Sequence, residues 1–192
     1  MERSSSISNA SDSSGAPASP DAFLARWNSL DPDEAAREIL PCCGSSAWAD
    51  QLAARRPFAE PGQLFEESDW VWAGLTEQDW RQAFESHPRI GQQHAHAATA
   101  QSLSWSSAEQ RAAMAGVAPD DSIRLALAER NRQYEERFGR IFIVCAAGKS
   151  ATEVLALLDA RMSNTAADEL LEAAEQQRQI TQLRLRRWLG VE

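Results

Sequence analysis

Long apolar runs and an excess of basic residues are both missing from this 192-residue sequence. Without about 20 consecutive apolar residues, no segment is expected to span a membrane. Lys and Arg total 19 against 28 Asp and Glu, for a formal net charge of −9. This balance argues against non-specific nucleic-acid binding, which needs a basic surface to neutralise phosphates. The first residues, MERSSSISNASDSSGAPASPDAF, lack the apolar centre of a secretory signal, and we therefore expect a cytoplasmic protein.

Cysteine is also scarce. Only Cys42, Cys43 and Cys145 occur, and no CxxC spacing is present. Adjacent cysteines rarely pair with each other, and an odd number of cysteines suits a reducing compartment. We expect buried or partly buried free thiols here, because a free cysteine behaves as a small apolar residue.

The remaining patterns predict helices almost throughout. Residues 1–20 contain eight serines and few large apolar residues, which predicts a disordered tail. Residues 21–192 are expected to form one all-α domain, a helical bundle. Three patterns of the capping-box type mark helix starts: Asp31 with Glu34, Thr76 with Asp79, and Ser150 with Glu153. Further helices are predicted to end before Pro57, to end at Gly116, and to cover about 165–189.

Two stretches depart from the helical pattern. RIFIVCAAGKS, residues 140–150, has the β-branched and aromatic composition of a buried strand. A lone strand leaves its backbone groups without partners, so we expect an extended or short helical segment there. Residues 88–106, PRIGQQHAHAATAQSLSWS, predict a long, partly irregular loop, and loops of such length are often functional.

Two candidate ligand sites have little support. His87, His94 and His96 could bind a metal, but no acidic or thiol ligand lies near them in sequence, and solvated loop histidines are the simpler interpretation. AAGKSA lacks the glycine-rich cradle of a phosphate loop, because Ile143 stands where its first glycine is required. Ser150 as a helix cap explains that motif better.

His87 and the SSAEQ stretch that begins at Ser106 are stronger candidates for chemistry. Pro88 disfavours the α region for His87, which places the histidine at a helix end with a pKa expected near neutrality. Ser106 and Glu109 match a capping box, while Gln110 offers a donor and an acceptor to a polar ring or a ureido ligand. A structural or exposed histidine and a plain helix cap are the alternatives.

Four motifs follow one another along the chain: HPRIG, SxxEQ some twenty residues later, FGRIFIVCAAGKSA, and ARMSNTAADELLEAAEQQRQITQLRL. Together they resemble the OHCU decarboxylase family, which acts on 2-oxo-4-hydroxy-4-carboxy-5-ureidoimidazoline in purine breakdown. CCGSSAWADQLAARRPF is similar to that family's N-terminal segment, and the resemblance covers roughly residues 21–188. One departure is Arg140, which stands where a large apolar residue is usual.

The resemblance implies an all-α bundle, commonly a homodimer, that forms (S)-allantoin with no metal or organic cofactor. It implies His87 as the catalytic histidine and Glu109 as its carboxylate partner. The residues implied to contact substrate are Pro88, Ser106, Gln110, Phe142, Ile143, Val144, Cys145, Ala146 and Arg184. Arg161 is the second choice for the substrate arginine, and a salt bridge to a helix end is its alternative role.

Two other functions stay open. A non-catalytic helical interaction module of the same fold is compatible with the acidic composition and the seven tryptophans, since aromatic clusters also anchor partners. Trp70, Trp72 and Trp80 nevertheless fit core-facing positions. A metal-dependent hydrolase that uses the three histidines is the other alternative.

Overall fold

The structure is a computed structural model that describes residues 19–89, 99–115 and 122–191. Across these ranges the regular secondary structure is entirely α-helical, which confirms the predicted all-α class. The helices are α1 (Pro20–Asn28), α2 (Pro32–Cys43), α3 (Ser46–Ala53), α4 (Pro61–Ala73), α5 (Glu77–Glu85), α6 (Ala100–Ala113), α7 (Ser122–Phe138), α8 (Ala151–Arg161) and α9 (Ala166–Leu189). None of the described helices is both long and apolar enough to cross a bilayer.

Side-chain caps set most helix starts. Two predicted capping boxes form, Thr76 with Asp79 and Ser150 with Glu153. The third prediction is wrong in detail, because Asp31 Oδ1 accepts from the backbone N–H of Asp33 at 3.0 Å and Glu34 does not close a box. The start of α2 is nevertheless where the sequence predicts it, since one satisfied N–H and a proline in the first turn are enough to begin a helix.

Two apolar clusters hold the helices together. The larger is built mainly from α2, α3, α4 and α9, and its fully buried members include Trp27, Trp48, Ile39, Leu52, Leu64 and Leu185. The smaller lies between α7 and α8 and contains Leu127, Tyr134, Phe138, Val154 and Leu158. Burial of each large side chain contributes about 1.5–3 kcal/mol, so the larger cluster supplies most of the apolar stabilisation.

The predicted non-helical segment connects the two clusters. Residues 141–146 adopt neither helix nor strand, as expected for a stretch without a sheet to join. Helix side chains satisfy its backbone instead: Arg161 Nη1 donates to the Ile143 carbonyl at 2.8 Å, and Gln176 Oε1 accepts from the Cys145 N–H at 2.9 Å. The segment can therefore be extended and buried without a partner strand.

The end of the predicted loop is helical. α6 begins with Thr99 as its N-cap, whose side chain accepts from the Ser102 N–H. Ser106 and Glu109 consequently lie in the middle of α6, and the prediction that they form a cap at a helix start is wrong. Their side chains instead bond to α9, as described below.

Several predictions fall outside the described residues. These include the metal candidates His94 and His96, the helix stop at Gly116, and nearly all of the expected tail over 1–20. The described part begins at Ser19, which caps α1.

The assignment of three tryptophans to the core is wrong for one of them. Trp70 is 64% exposed and packs against the Arg55 guanidinium, 4.0 Å from the ring centre. Trp72 is buried and donates to the Ala174 carbonyl of α9 at 3.0 Å, and the partly buried Trp80 packs beside it. The position of Trp70 on α4 thus faces away from the neighbouring helices.

The cysteine prediction is confirmed. Cys42, Cys43 and Cys145 are buried and unpaired. Burial raises the pKa of Cys43 to about 12, with smaller lowering effects from hydrogen bonds and from Arg184, so this thiol stays neutral.

Candidate active site

A cavity lies where the end of α5, the middle of α6 and the segment 141–146 meet. The lining residues are His87, Pro88, Ser106, Glu109, Gln110, Ala113, Met114, Leu127, Phe142, Ile143, Val144, Ala146, Ala151, Val154 and Ile180. The centre of a water molecule can occupy about 60 Å³ of this space, which exceeds the room needed by one water. The cavity brings together nine of the twelve predicted site residues, and Cys145, Arg161 and Arg184 do not line it.

His87 is carried by the C-terminal end of α5. Its N–H donates to the Phe84 carbonyl at 3.0 Å, and the next residue, Pro88, prevents a further helical turn. The preceding Ser86 packs against Gly44, which has a φ of +89°. A Cβ on Gly44 would lie 2.2 Å from Ser86 Oγ, so a glycine is required for α2 and α5 to approach this closely.

The His87 imidazole is neutral in this environment. Its Nε2 is buried and makes no hydrogen bond. Burial lowers the pKa of His87 to about 3, the positive charge of Arg184 lowers it further, and Gln177 opposes the shift. The sequence-based expectation of a pKa near neutrality is therefore wrong, because desolvation outweighs the helix-end effect. A neutral imidazole is a proton acceptor.

Glu109 is held by an arginine from α9. Arg184 is fully buried, and its Nη2 donates to Glu109 Oε2 at 3.0 Å and to Ser106 Oγ at 2.8 Å. Arg187 Nη1 lies 3.6 Å from Glu109 Oε1. The other terminal nitrogen of the Arg184 guanidinium, Nη1, is buried and makes no hydrogen bond. Arg184 thus stands directly behind two residues of the cavity wall.

Gln110 ties α6 to the segment that follows His87. Its Nε2 donates to the carbonyls of Pro88 at 3.4 Å and Arg89 at 3.3 Å. Arg89 in turn makes a two-pronged ion pair with Glu135 of α7, with Nε 2.7 Å from Oε1. These contacts fix the position of the His87 backbone relative to both helices.

Arg161 lies behind the cavity and is already paired. Its Nε donates to Glu169 Oε1 at 2.9 Å, and both side chains are buried. Tyr134 donates its hydroxyl to the same carboxylate. Because Arg161 also holds the Ile143 carbonyl, it supports the cavity wall from outside.

No sequence motif indicates some of the residues that form the site. Gln177 of α9 lies fully buried beside His87, and only packing brings the two together. The apolar walls contributed by Leu127, Val154 and Ile180 look like ordinary core positions in sequence. In the described ranges, no group of three or more His, Cys, Asp or Glu side chains could hold a metal ion.

Residues 28–186 match the family model described as OHCU decarboxylase. The uric acid degradation bifunctional protein TTL of Arabidopsis thaliana is 35% identical over 144 residues, which is 75% of this chain and 44% of that protein. The 2-oxo-4-hydroxy-4-carboxy-5-ureidoimidazoline decarboxylase of Amia calva is 44% identical over 55 residues, 29% of this chain and 31% of that protein. The chain therefore spans less than half the length of these curated relatives.

Solved structures agree with the sequence match. A crystal structure of OHCU decarboxylase in the presence of (S)-allantoin superposes with a TM-score of 0.68 at 33% identity, covering 80% of this chain and 97% of that one. A crystal structure of (S)-allantoin synthase has a TM-score of 0.60 at 19% identity over 86% of this chain and 53% of that one, which shows the shared fold. The family model covers most of the chain, and the cavity is lined by His87 and Pro88 of the first motif and by Ser106, Glu109 and Gln110 of the second. The chain therefore belongs to the OHCU decarboxylase family.

Proposed function

We propose that this protein decarboxylates 2-oxo-4-hydroxy-4-carboxy-5-ureidoimidazoline to (S)-allantoin in urate breakdown. Family membership supports the reaction class, and the names of the relatives support the substrate and the pathway. The observation that carries the proposal is that His87 and Glu109, from different helices, line one cavity. The homodimer and the cytoplasmic location expected from the sequence belong to the same proposal.

The reaction needs no external electron sink. When CO₂ leaves the hydroxyl-bearing ring carbon, the bonding electron pair moves into the ring and the neighbouring C=N nitrogen takes up a proton. This produces an enol. The enol becomes allantoin when its hydroxyl proton leaves and the adjacent ring carbon gains a proton. The protein must therefore orient the substrate, exclude water and deliver that proton to one face.

His87 is proposed to move this proton. As a neutral imidazole it accepts the hydroxyl proton, and as an imidazolium it returns a proton to the ring carbon. The environment that lowers the pKa of His87 to about 3 also makes the imidazolium a strong acid. Glu109, a carboxylate in the same cavity held by Arg184, stabilises the transient positive charge. Delivery from one side of the ring gives a single enantiomer.

The substrate carboxylate is proposed to lie toward Arg184. Its Nη1 is a buried donor without a partner, and an anion satisfies such a donor best. Arg161 is the weaker choice, because Glu169 and the Ile143 carbonyl already occupy its donors. Gln110 is proposed to contact the ureido group from the same wall.

The decisive experiment compares His87→Asn and Glu109→Gln with Glu136→Gln, a control at an exposed carboxylate of α7. Freshly generated substrate is supplied, and circular dichroism follows the handedness of the product. We expect each site variant to lower kcat by about 10²- to 10⁴-fold, the usual share of acid–base catalysis, with far-UV spectra unchanged. An unaltered rate of (S)-allantoin formation by His87→Asn would assign the proton transfer to another group.

A further inference from the structure

Gln177 is a buried polar side chain that the proposed reaction does not yet use. It lies on α9 with no exposed surface. Its Nε2 donates to the Cys43 carbonyl and to Thr181 Oγ1, each at 3.3 Å. Its Oε1 is buried and accepts no hydrogen bond. The NH₂ group of the amide is therefore hydrogen-bonded to residues of α2 and α9, whereas the amide oxygen has no hydrogen-bond partner.

The orientation of this amide follows from its partners. The Cys43 carbonyl can only accept a hydrogen bond, so the amide atom facing it must be the NH₂ group. Thr181 donates its own hydroxyl hydrogen to the backbone carbonyl of Gln177 at 3.0 Å, so the hydroxyl oxygen can only accept from the side-chain amide. Both neighbours therefore require the NH₂ group of Gln177 to face them, and Oε1 points away from Cys43 and Thr181.

His87 is a neighbour of this amide. Cys43 is followed by Gly44, which contacts Ser86, the residue before His87, so the two helix ends form one corner. Gln177 favours the protonated ring, as expected of an acceptor beside an imidazole N–H. The two atoms left without hydrogen bonds at this corner, His87 Nε2 and Gln177 Oε1, are complementary only if Nε2 carries a proton.

We propose that Gln177 is a positioning residue that holds the neutral His87 imidazole with its proton on Nε2, and so reserves Nδ1 as the acceptor for the substrate. The catalytic use of Nδ1 rests on the proposed function, whereas the position of the proton does not. The charged groups around His87 are Arg184 from α9 and Glu109 from α6, and neither can replace Gln177 as an uncharged acceptor. A histidine held as the wrong tautomer loses most of its catalytic use.

The position of the proton can be measured directly. Long-range ¹H–¹⁵N correlation spectra of the full chain labelled at histidine distinguish the two neutral tautomers, and only three histidines contribute signals. His87→Asn identifies the His87 signal by its loss. We expect the Nε2–H form alone in the wild type and a substantial Nδ1–H population in Gln177→Leu, because the buried Nε2–H then has no acceptor.

Gln182→Leu is the matched control. Gln182 is another buried glutamine of α9 whose amide donates to the Phe65 carbonyl at 2.9 Å, so its loss has a similar structural cost. Gln177→Leu should lower kcat by about 10- to 100-fold with KM nearly unchanged, whereas Gln182→Leu should alter stability alone. Gln177→Glu keeps the acceptor and should recover much of kcat. Its negative charge favours the imidazolium, so activity should be lost at a higher pH on acidification.

Each result decides a separate question. An Nδ1–H tautomer in the wild type, or an unchanged tautomer in Gln177→Leu, would overturn the role of Gln177. Equal kcat losses in Gln177→Leu and Gln182→Leu would do the same. If His87→Asn is inactive while Gln177→Leu matches the wild type, the inference fails and the proposed function stands.

Discussion

Removal of the buried Glu169 carboxylate should destabilise the fold far more than removal of its whole ion pair. The side chain of Glu169 has no exposed surface and that of Arg161 is 8% exposed. Glu169→Leu leaves the Arg161 cation buried without a counter-charge and frees the Tyr134 hydroxyl. Breaking a buried pair in this way costs about 3–5 kcal/mol, whereas replacing both partners by apolar residues is often close to neutral.

The expected order of stability is wild type, then Arg161→Met/Glu169→Leu, then either single variant. Urea unfolding followed by tryptophan fluorescence gives the free energies. The thermal midpoint of Glu169→Leu should fall by about 6–20 °C, from roughly 2–4 °C per kcal/mol for a chain of this size. Glu136→Gln, at an exposed pair with Arg132, is the control and should leave the urea midpoint unchanged.

The double variant separates stability from function. It should fold, but it lacks the guanidinium that holds the Ile143 carbonyl in the cavity wall. KM should therefore rise in the double variant at temperatures well below its midpoint. The reasoning is refuted if Glu169→Leu costs less than about 1 kcal/mol, or if the double variant is as unstable as the worse single variant.

Three further outcomes are expected. Gly44→Ala should cost at least about 1–2 kcal/mol, because the residue has positive φ and its new Cβ meets Ser86; a urea titration measures this, and kcat should fall as His87 moves. His87→Asn should remove part of the acid sensitivity of folding. The pKa of His87 is about 3 when folded, so below about 6.5 the unfolded chain binds a proton that the folded chain does not. The free energy of unfolding of the wild type should therefore fall by roughly 2–3 kcal/mol between pH 6.5 and 3, a figure that is reduced because His87 is partly exposed. Urea unfolding at pH 7 and pH 4 measures this change. Trp70→Ala should cost less than about 1 kcal/mol by the same assay, since this ring is exposed and contacts mainly Arg55.

Most capping patterns in the sequence predicted a helix start correctly, but the pattern at Ser106 predicted a start where none exists. The capping boxes at Thr76 and Ser150 form because all their partners lie within four residues along the chain. Ser106 and Glu109 satisfy the same pattern but lie inside α6, which starts at Thr99. A local motif cannot show that a better cap lies one or two turns upstream, or that Arg184 of α9 takes up both side chains.

The sequence by itself determined the helical class, the free cysteines and the four motifs that indicate the family, because each depends on composition or on neighbours along the chain. Tertiary structure alone decided that Arg161 pairs with Glu169, that His87 is neutral, and that Arg184 binds Ser106 and Glu109. Those properties depend on burial and on partners from distant helices. The desolvation of a side chain and the direction of its hydrogen bonds are set only when the chain has packed. They therefore cannot be predicted from the spacing of residues in the sequence.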